Sequence, residues 1–391
     1  MCSNKLQLDM LDLNHHLGLH LPTIGAESPS TVYALHALSA RHRELASGVP
    51  DMAQFESERY YNMSKWGSGA IRPVDMADTL EARIIRLIVD LISSPLSSWT
   101  RHLEQGTALI TPLYSYALKS GLPASLFWCV FRFDLAAALV NETSMATDLE
   151  AIFPQEGLPD GLSSPFDDPG PNDNLGPNCV DQYALRALYL CGKAVRVLHD
   201  HRQREAGDER PRPQNHLMQW QSTWSELATW YTGRHRFVKP LLELSLSAHS
   251  SDSSPHAEPP PAFPTVIFTT AAATLANLAY HTAATILLDC KPKTLKMPGQ
   301  QLAPAAMRSP HWHAQRTCAI AVANAGVDDG GGTSWDPCVV ACVLHAARKM
   351  THRDQQAAVL ETLGRGRDAT GWRIEGELQR LQEFWRLAEH A

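Results

Sequence analysis

The sequence predicts an all-α fold: one large multi-helix domain with long loops rich in Pro, Ser and Gly. Three observations carry that expectation. Apolar residues recur at helical spacing, in steps of 4, 3, 4 for Leu80, Ile84, Leu87 and Leu91, and of 3, 3, 4, 3 for Leu185, Leu188, Cys191, Val195 and Leu198. The stretch Leu122–Thr143, LPASLFWCVFRFDLAAALVNET, is apolar on nearly every side, as suits a helix in the middle of a protein. No segment of strand length alternates apolar and polar residues.

Composition bounds the rest. The 391 residues suffice for one large core or two domains. Hydrophobic content of 44% is ordinary for a globular chain. A net charge of -7 argues against binding nucleic acid by general electrostatics. Eight cysteines without pairing rhythm, and no apolar signal segment after Met1, point to free thiols in cytosol or nucleus.

Taken in order, residues 1–28 read as a segment docked on the domain, with Leu6, Leu8, Leu11, Leu13 and Leu17 in a short helix before Pro22. Ser28-Pro29 opens the next helix, because Pro is tolerated in a first turn. Val32, Leu35, Leu38 and Leu45 mark its apolar stripe. Tyr60-Tyr61 precede a break at Gly67–Ala70, and Pro95 ends the helix that holds Leu80–Leu91. Within 122–143, Arg132 and Asp134 are two apart and leave the helix in different directions, so each needs its own partner on a neighbouring helix.

Beyond it, residues 153–178, dense in Pro, Gly, Asp and Ser, read as a surface loop. Asp181 is placed to cap the helix that follows, which ends in His199, His201, Arg202 and Arg204 where positive charge suits the helix dipole. Leu217, Trp220, Trp224, Leu227 and Tyr231 form an aromatic stripe. Residues 245–264 and 291–310 are further loops. Thr265–Leu288 carries no charge and has the length of a membrane span. Its Asn277, Tyr280 and His281 favour a buried helix instead. Then come a helix over His311–Asn324, a Gly-rich turn at Gly326–Gly332 and a helix from Pro337 to about Met350. Thr351 and Asp354 have capping-box spacing, so another helix starts there. Ala369–Trp372 breaks the chain before an amphipathic helix with Leu378, Leu381, Trp385 and Leu387.

Several of these pieces share a resemblance. The run W-x-x-x-R-x-D-L-x-x-A-L (Trp128, Arg132, Asp134) resembles the central motif of the fungal-specific transcription factor regulatory domain, the helical region that follows the six-cysteine zinc cluster in fungal regulators. Phe133 stands where most members carry Gln. SPSTVYALHALSARH, W-x-x-H-L-x-x-G from Trp99 to Gly106, W-x-x-L-x-x-W with F-x-x-P (Phe237, Pro240), and T-G-W at Thr370–Trp372 are similar to further family segments, in family order. The resemblance covers about residues 29–391. It implies a nuclear regulator of transcription, with the cytoplasm as a second location, acting on metabolic or secondary-metabolite genes. It also implies a protein partner or a homo- or heterodimer, and a small-molecule effector. Only Cys2 precedes Cys129, so the zinc cluster is absent; DNA is reached only indirectly and no DNA-binding residue carries over. Leu6–Leu17 resembles the region that follows a DNA-binding segment in relatives, which leaves open whether such a segment precedes Met1. Trp128, Arg132, Asp134 and Trp372 are the expected structural or switch residues, with paired buried charges favoured over a ligand role for Arg132 and Asp134.

Catalytic signals are weak. G-x-S-x-G, Walker and H-E-x-x-H motifs do not occur. Asp167-Asp168 and Asp328-Asp329 lie in Pro- or Gly-rich loops and read as solvated. The chain is therefore expected to be no enzyme and to need no cofactor or metal. The rival reading is an all-α enzyme or metal protein using Cys338, Cys342 and His345, which share one helix face at i, i+4 and i+7. Core packing is the favoured reading of that face. His311, His313 and Cys318 make a weaker metal case, lacking a fourth ligand.

Overall fold

The computed structural model describes residues 8–12, 14–47, 53–66, 78–152, 179–207, 213–245, 261–292, 295, 305–324 and 335–389. The expected loop at 153–178, most of those at 245–264 and 291–310, and the Gly-rich turn at 326–332 lie outside them. The all-α expectation holds, with one small exception. The helices are α1 (Leu21–Gly25), α2 (Pro29–Ser47), α3 (Ala53–Trp66), α4 (Leu80–Ser93), α5 (Trp99–Ile110), α6 (Leu122–Asn141), α7 (Leu149–Ile152), α8 (Cys179–Glu205), α9 (Pro213–Thr232), α10 (Ala271–Asp289), α11 (Pro310–Asn324), α12 (Pro337–Ala347), α13 (Arg353–Thr370) and α14 (Glu375–Glu389). Two three-residue strands, β1 (Leu242–Leu244) and β2 (Thr265–Ile267), pair antiparallel with Glu243 opposite Val266.

Two helices form the centre, and their composition explains why. α6 and α10 are buried all round, and each is long and apolar enough to cross a membrane. In both, 83% of that apolar stretch is buried inside the fold, the position a core helix of a helical protein takes. α6 packs against α5 and α12, and α10 against α8 and α11. α2, α3 and α4 pack on one another at one side, with the aromatic ladder Phe133, Trp99, Trp372 beneath (centroids 5.2 and 6.5 Å apart). Gly371 closes α13 in the left-handed conformation at φ 73°, where a Cβ would stand 2.4 Å from the Leu45 backbone carbonyl carbon.

Several local expectations are corrected. No helix spans Leu11 to Leu17: the chain turns there and enters a π-helical turn at His16–His20, with Pro22 inside α1. Asp9 accepts the amides of Leu17 and Gly18 at 2.9 and 2.5 Å, and Asp12 those of Asn14 and His16, so side chains take the donors that a helix would use. Leu6 and Leu13 lie outside the described residues.

The inward face of α2 is Thr31, Ala34, Ala37 and Leu38; Val32 and Leu35 are half-buried. Asp181 falls in the first turn of α8 rather than at its cap. Of Thr265–Leu288, the start is strand, and the helix begins only after Thr270, whose hydroxyl caps the Ala273 amide at 3.1 Å. α13 starts after His352 with no side-chain cap, so Thr351 and Asp354 form no capping box. Leu387 is exposed, because α14 buries Leu381 and Trp385 and position 387 lies off that face.

Candidate functional site

The central motif is buried in α6. Arg132 and Asp134 are 3% and 2% exposed, so both charges need internal partners. Arg132 finds three. Its guanidinium donates through Nη1 to Asp336, through Nη2 to the Leu8 carbonyl, and through Nε to the Trp128 carbonyl at 3.3 Å. Asp336 is the N-cap of α12, its Oδ1 accepting the Cys338 amide at 2.8 Å. The Cys338 thiol donates back to the Arg132 carbonyl at 3.1 Å. One guanidinium thus fastens the N-terminal segment and the start of α12 to the central helix. Ser125 adds a second tie, its Oγ donating to Asp12 at 2.7 Å. Burial opposes the Arg132 charge, but Asp336 beside it keeps its pKa above the ordinary value.

Asp134 departs from the expectation of a partner on another helix. α6 ends at Glu142 in the left-handed conformation (φ 55°), and the chain folds back so that the amides of Ala146 and Thr147 reach Asp134 at 3.0 and 2.7 Å. Burial still raises its pKa above the usual carboxylate value. Trp128 and Trp372 are core side chains. Trp128 donates to the Ala117 carbonyl at 2.8 Å and lies edge-on to Phe127 and Phe131. Trp372 meets Trp99, which itself packs on Phe133. All four expected residues are therefore inside the fold.

The structure does not gather the metal candidates. Among the described residues no group of three His, Cys, Asp or Glu side chains could hold a metal ion. Cys338 is taken by the Arg132 carbonyl, while His313 pairs with His281, Nδ1 to Nδ1 at 2.9 Å, away from any cysteine ligand set. Six cysteines, Cys129, Cys191, Cys290, Cys318, Cys338 and Cys342, are buried free thiols. Burial pushes Cys129, Cys290 and Cys342 up to about 12 and raises Cys191, Cys318 and Cys338 as well. Iodoacetamide at pH 8 is therefore expected to leave all six unlabelled in the folded protein and to label them in denaturant, as peptide mass mapping would read. Native labelling of Cys338 or Cys342 at the rate of a free thiol would contradict this core.

Residues that sequence reasoning did not join into a site line a sizeable cleft among the described residues. It measures about 290 Å³ and lies between α2, α3, α4 and α5, lined among others by Arg41, Glu58, Tyr61, Asn62, Asp90 and His102. Tyr61 donates its hydroxyl to Asp90 Oδ2 at 3.0 Å, and His102 Nε2 meets Ser94 Oγ at 3.1 Å. Burial raises Asp90 above the usual carboxylate value and, with Asp90 beside it, raises Tyr61 to about 12. Arg41 is held by Glu44 at 2.9 Å, and Glu44 also accepts the Ser57 hydroxyl at 3.0 Å. The signal for this site is slight: Asp90 is the lone acid inside the apolar run 84–92. Comparison with family models, with curated proteins and with solved structures finds no match to this chain.

Proposed function

We propose that this chain is a regulatory binding domain rather than an enzyme, acting in the nucleus through a protein partner and answering to a small effector, as the resemblance of its central motif to the fungal transcription factor regulatory domain implies. The observation that supports this reading is the Arg132 node. A motif of charged residues that looks at first like a reactive site is spent wholly on tying three elements together: residue 8, α6 and the α12 cap. A ligand that prefers the node broken rather than made would shift the balance between the two. The N-terminal segment is the part released when the node breaks, and it is the part a partner would meet.

The test is a tethering experiment. The full chain is fused to an unrelated DNA-binding domain in a fungal host carrying the matching reporter. The reading expects reporter output to change at least about threefold relative to the DNA-binding domain alone, at equal expression, and the Asp336→Asn variant to alter that change. Output equal to that of the bare DNA-binding domain would count against it.

A further inference from the structure

The cleft between α2, α3, α4 and α5 is built around an acid with a free side. Asp90 uses Oδ2 for the Tyr61 hydroxyl, and among the described residues its other oxygen takes no hydrogen bond. Glu58 and Asn62, on the same helix as Tyr61, face solvent at the cleft and likewise make no hydrogen bond or ion pair among the described residues. The lining cation is already spoken for, since Arg41 pairs with Glu44. Arg86, the cation behind Asp90, is held by Asp78 at 2.6 Å and by the Ser64 hydroxyl at 2.8 Å. Lys65 lies over the Trp66 ring at 5.1 Å. What the cleft offers a visitor is therefore two carboxylates, an amide and an aromatic ring, beside the His102 imidazole, whose Nε2 meets Ser94, and an arginine already paired with Glu44.

We propose that this cleft binds a small molecule carrying a protonated primary amine, with Asp90 as its counter-ion and Glu58 and Asn62 as its rim. An ammonium has three donors and no acceptor, which suits a site whose free groups are mainly acceptors. The volume of about 290 Å³ lies at the small end of ligand pockets and limits the guest to about the size of an amino acid or amino sugar. A cation here also relieves Asp90, which burial now holds above its ordinary pKa. The assignment rests on the regulatory reading only for its biological use, since the amine would be the effector; the binding itself stands or falls separately.

Calorimetric titration of the full chain with glucosamine, L-lysine and spermidine tests it, with N-acetylglucosamine as the uncharged control. These arms separate an amino sugar, an amino acid and a polyamine as the source of the same ammonium. At least one amine is expected to bind with Kd below about 1 mM, and the acetylated sugar not to bind. Asp90→Asn should weaken binding at least about tenfold, and Glu58→Gln, an exposed change that leaves the fold alone, about threefold. Absence of binding by all three amines at 10-fold higher concentration (about 10 mM), equal binding of N-acetylglucosamine, or unchanged affinity in Glu58→Gln and Asp90→Asn would overturn the assignment. Amine binding without any reporter response would leave the site standing and count against the regulatory reading.

Discussion

Replacing Arg132 by methionine is expected to cost about 3–5 kcal/mol of stability and to lower the melting temperature on the order of 5–10 °C. The size of the effect comes from what stays behind. Asp336 is fully buried, and without the guanidinium its charge has only the Cys338 amide. The Leu8 carbonyl loses the donor it shares with nothing else in view. Methionine fills much of the space, so the loss is electrostatic rather than a cavity. A second change separates the terms. Asn is as good an N-cap as Asp and carries no charge, so Arg132→Met with Asp336→Asn should recover roughly half of the loss. Thermal melts of the two variants and the parent check this, and an unchanged melting temperature for Arg132→Met would remove the ion pair from the account.

Acid is expected to destabilise the protein between pH 7 and pH 5, and the His281–His313 pair sets part of that loss, beside His216 and His345, which burial also lowers to about 4. Nε2 of His313 faces the Met307 carbonyl at 3.0 Å and donates to it, so its Nδ1 carries the lone pair and accepts from His281 Nδ1–H at 2.9 Å. Both rings are neutral in that arrangement. A further proton on His313 Nδ1 would set two N–H groups against each other, and Arg316 and Arg234 act against a charge on His281.

Burial lowers His313 to about 4 and His281 well below its usual value. Their folded pKa values are depressed, so the unfolded chain takes the proton first. Stability is whole above about pH 6.5 and falls as pH drops through that value toward 4. His313 alone accounts for about 2 kcal/mol by pH 5. Asp90 and Asp134, both raised, move the opposite way and blunt the total. The His313→Gln variant isolates the term: its denaturation free energy should fall by about 2 kcal/mol less than that of the parent between pH 7 and pH 5. Equal pH slopes would show that this pair does not carry the effect.

Helices whose faces obey one period were legible from the sequence. α4 and α6 begin and end close to where Leu80–Leu91 and Leu122–Thr143 place them, because Thr79 and Gly121 open them and Ser94 and Glu142 close them. What escaped depends on partners far along the chain. Asp336 beside Pro337 carried a local cap signal, but nothing local could join it to Arg132, 204 positions away. His281 and His313 were noticed separately, one as a polar residue in an apolar run and the other as a weak metal ligand; only the packing of α10 on α11 makes them a pair.

Strands of three residues lie below any readable period, so β1 and β2 were missed. Asp9 and Asp12 defeated the short N-terminal helix by taking backbone amides, a competition that an apolar stripe does not register. The cleft escaped for a different reason: its polar groups come from four helices, and each alone reads as an ordinary surface residue.

Hydrogen exchange on the Arg132→Met variant asks whether one buried guanidinium holds the N-terminal segment and the α12 cap to α6. Exchange is expected to be faster, by at least about tenfold, at the amides of His16, Leu17, Gly18 and Cys338, with the α10 core at 275–287 unchanged. Exchange that accelerates equally everywhere, or that stays at the parent rate at those four amides, would contradict it.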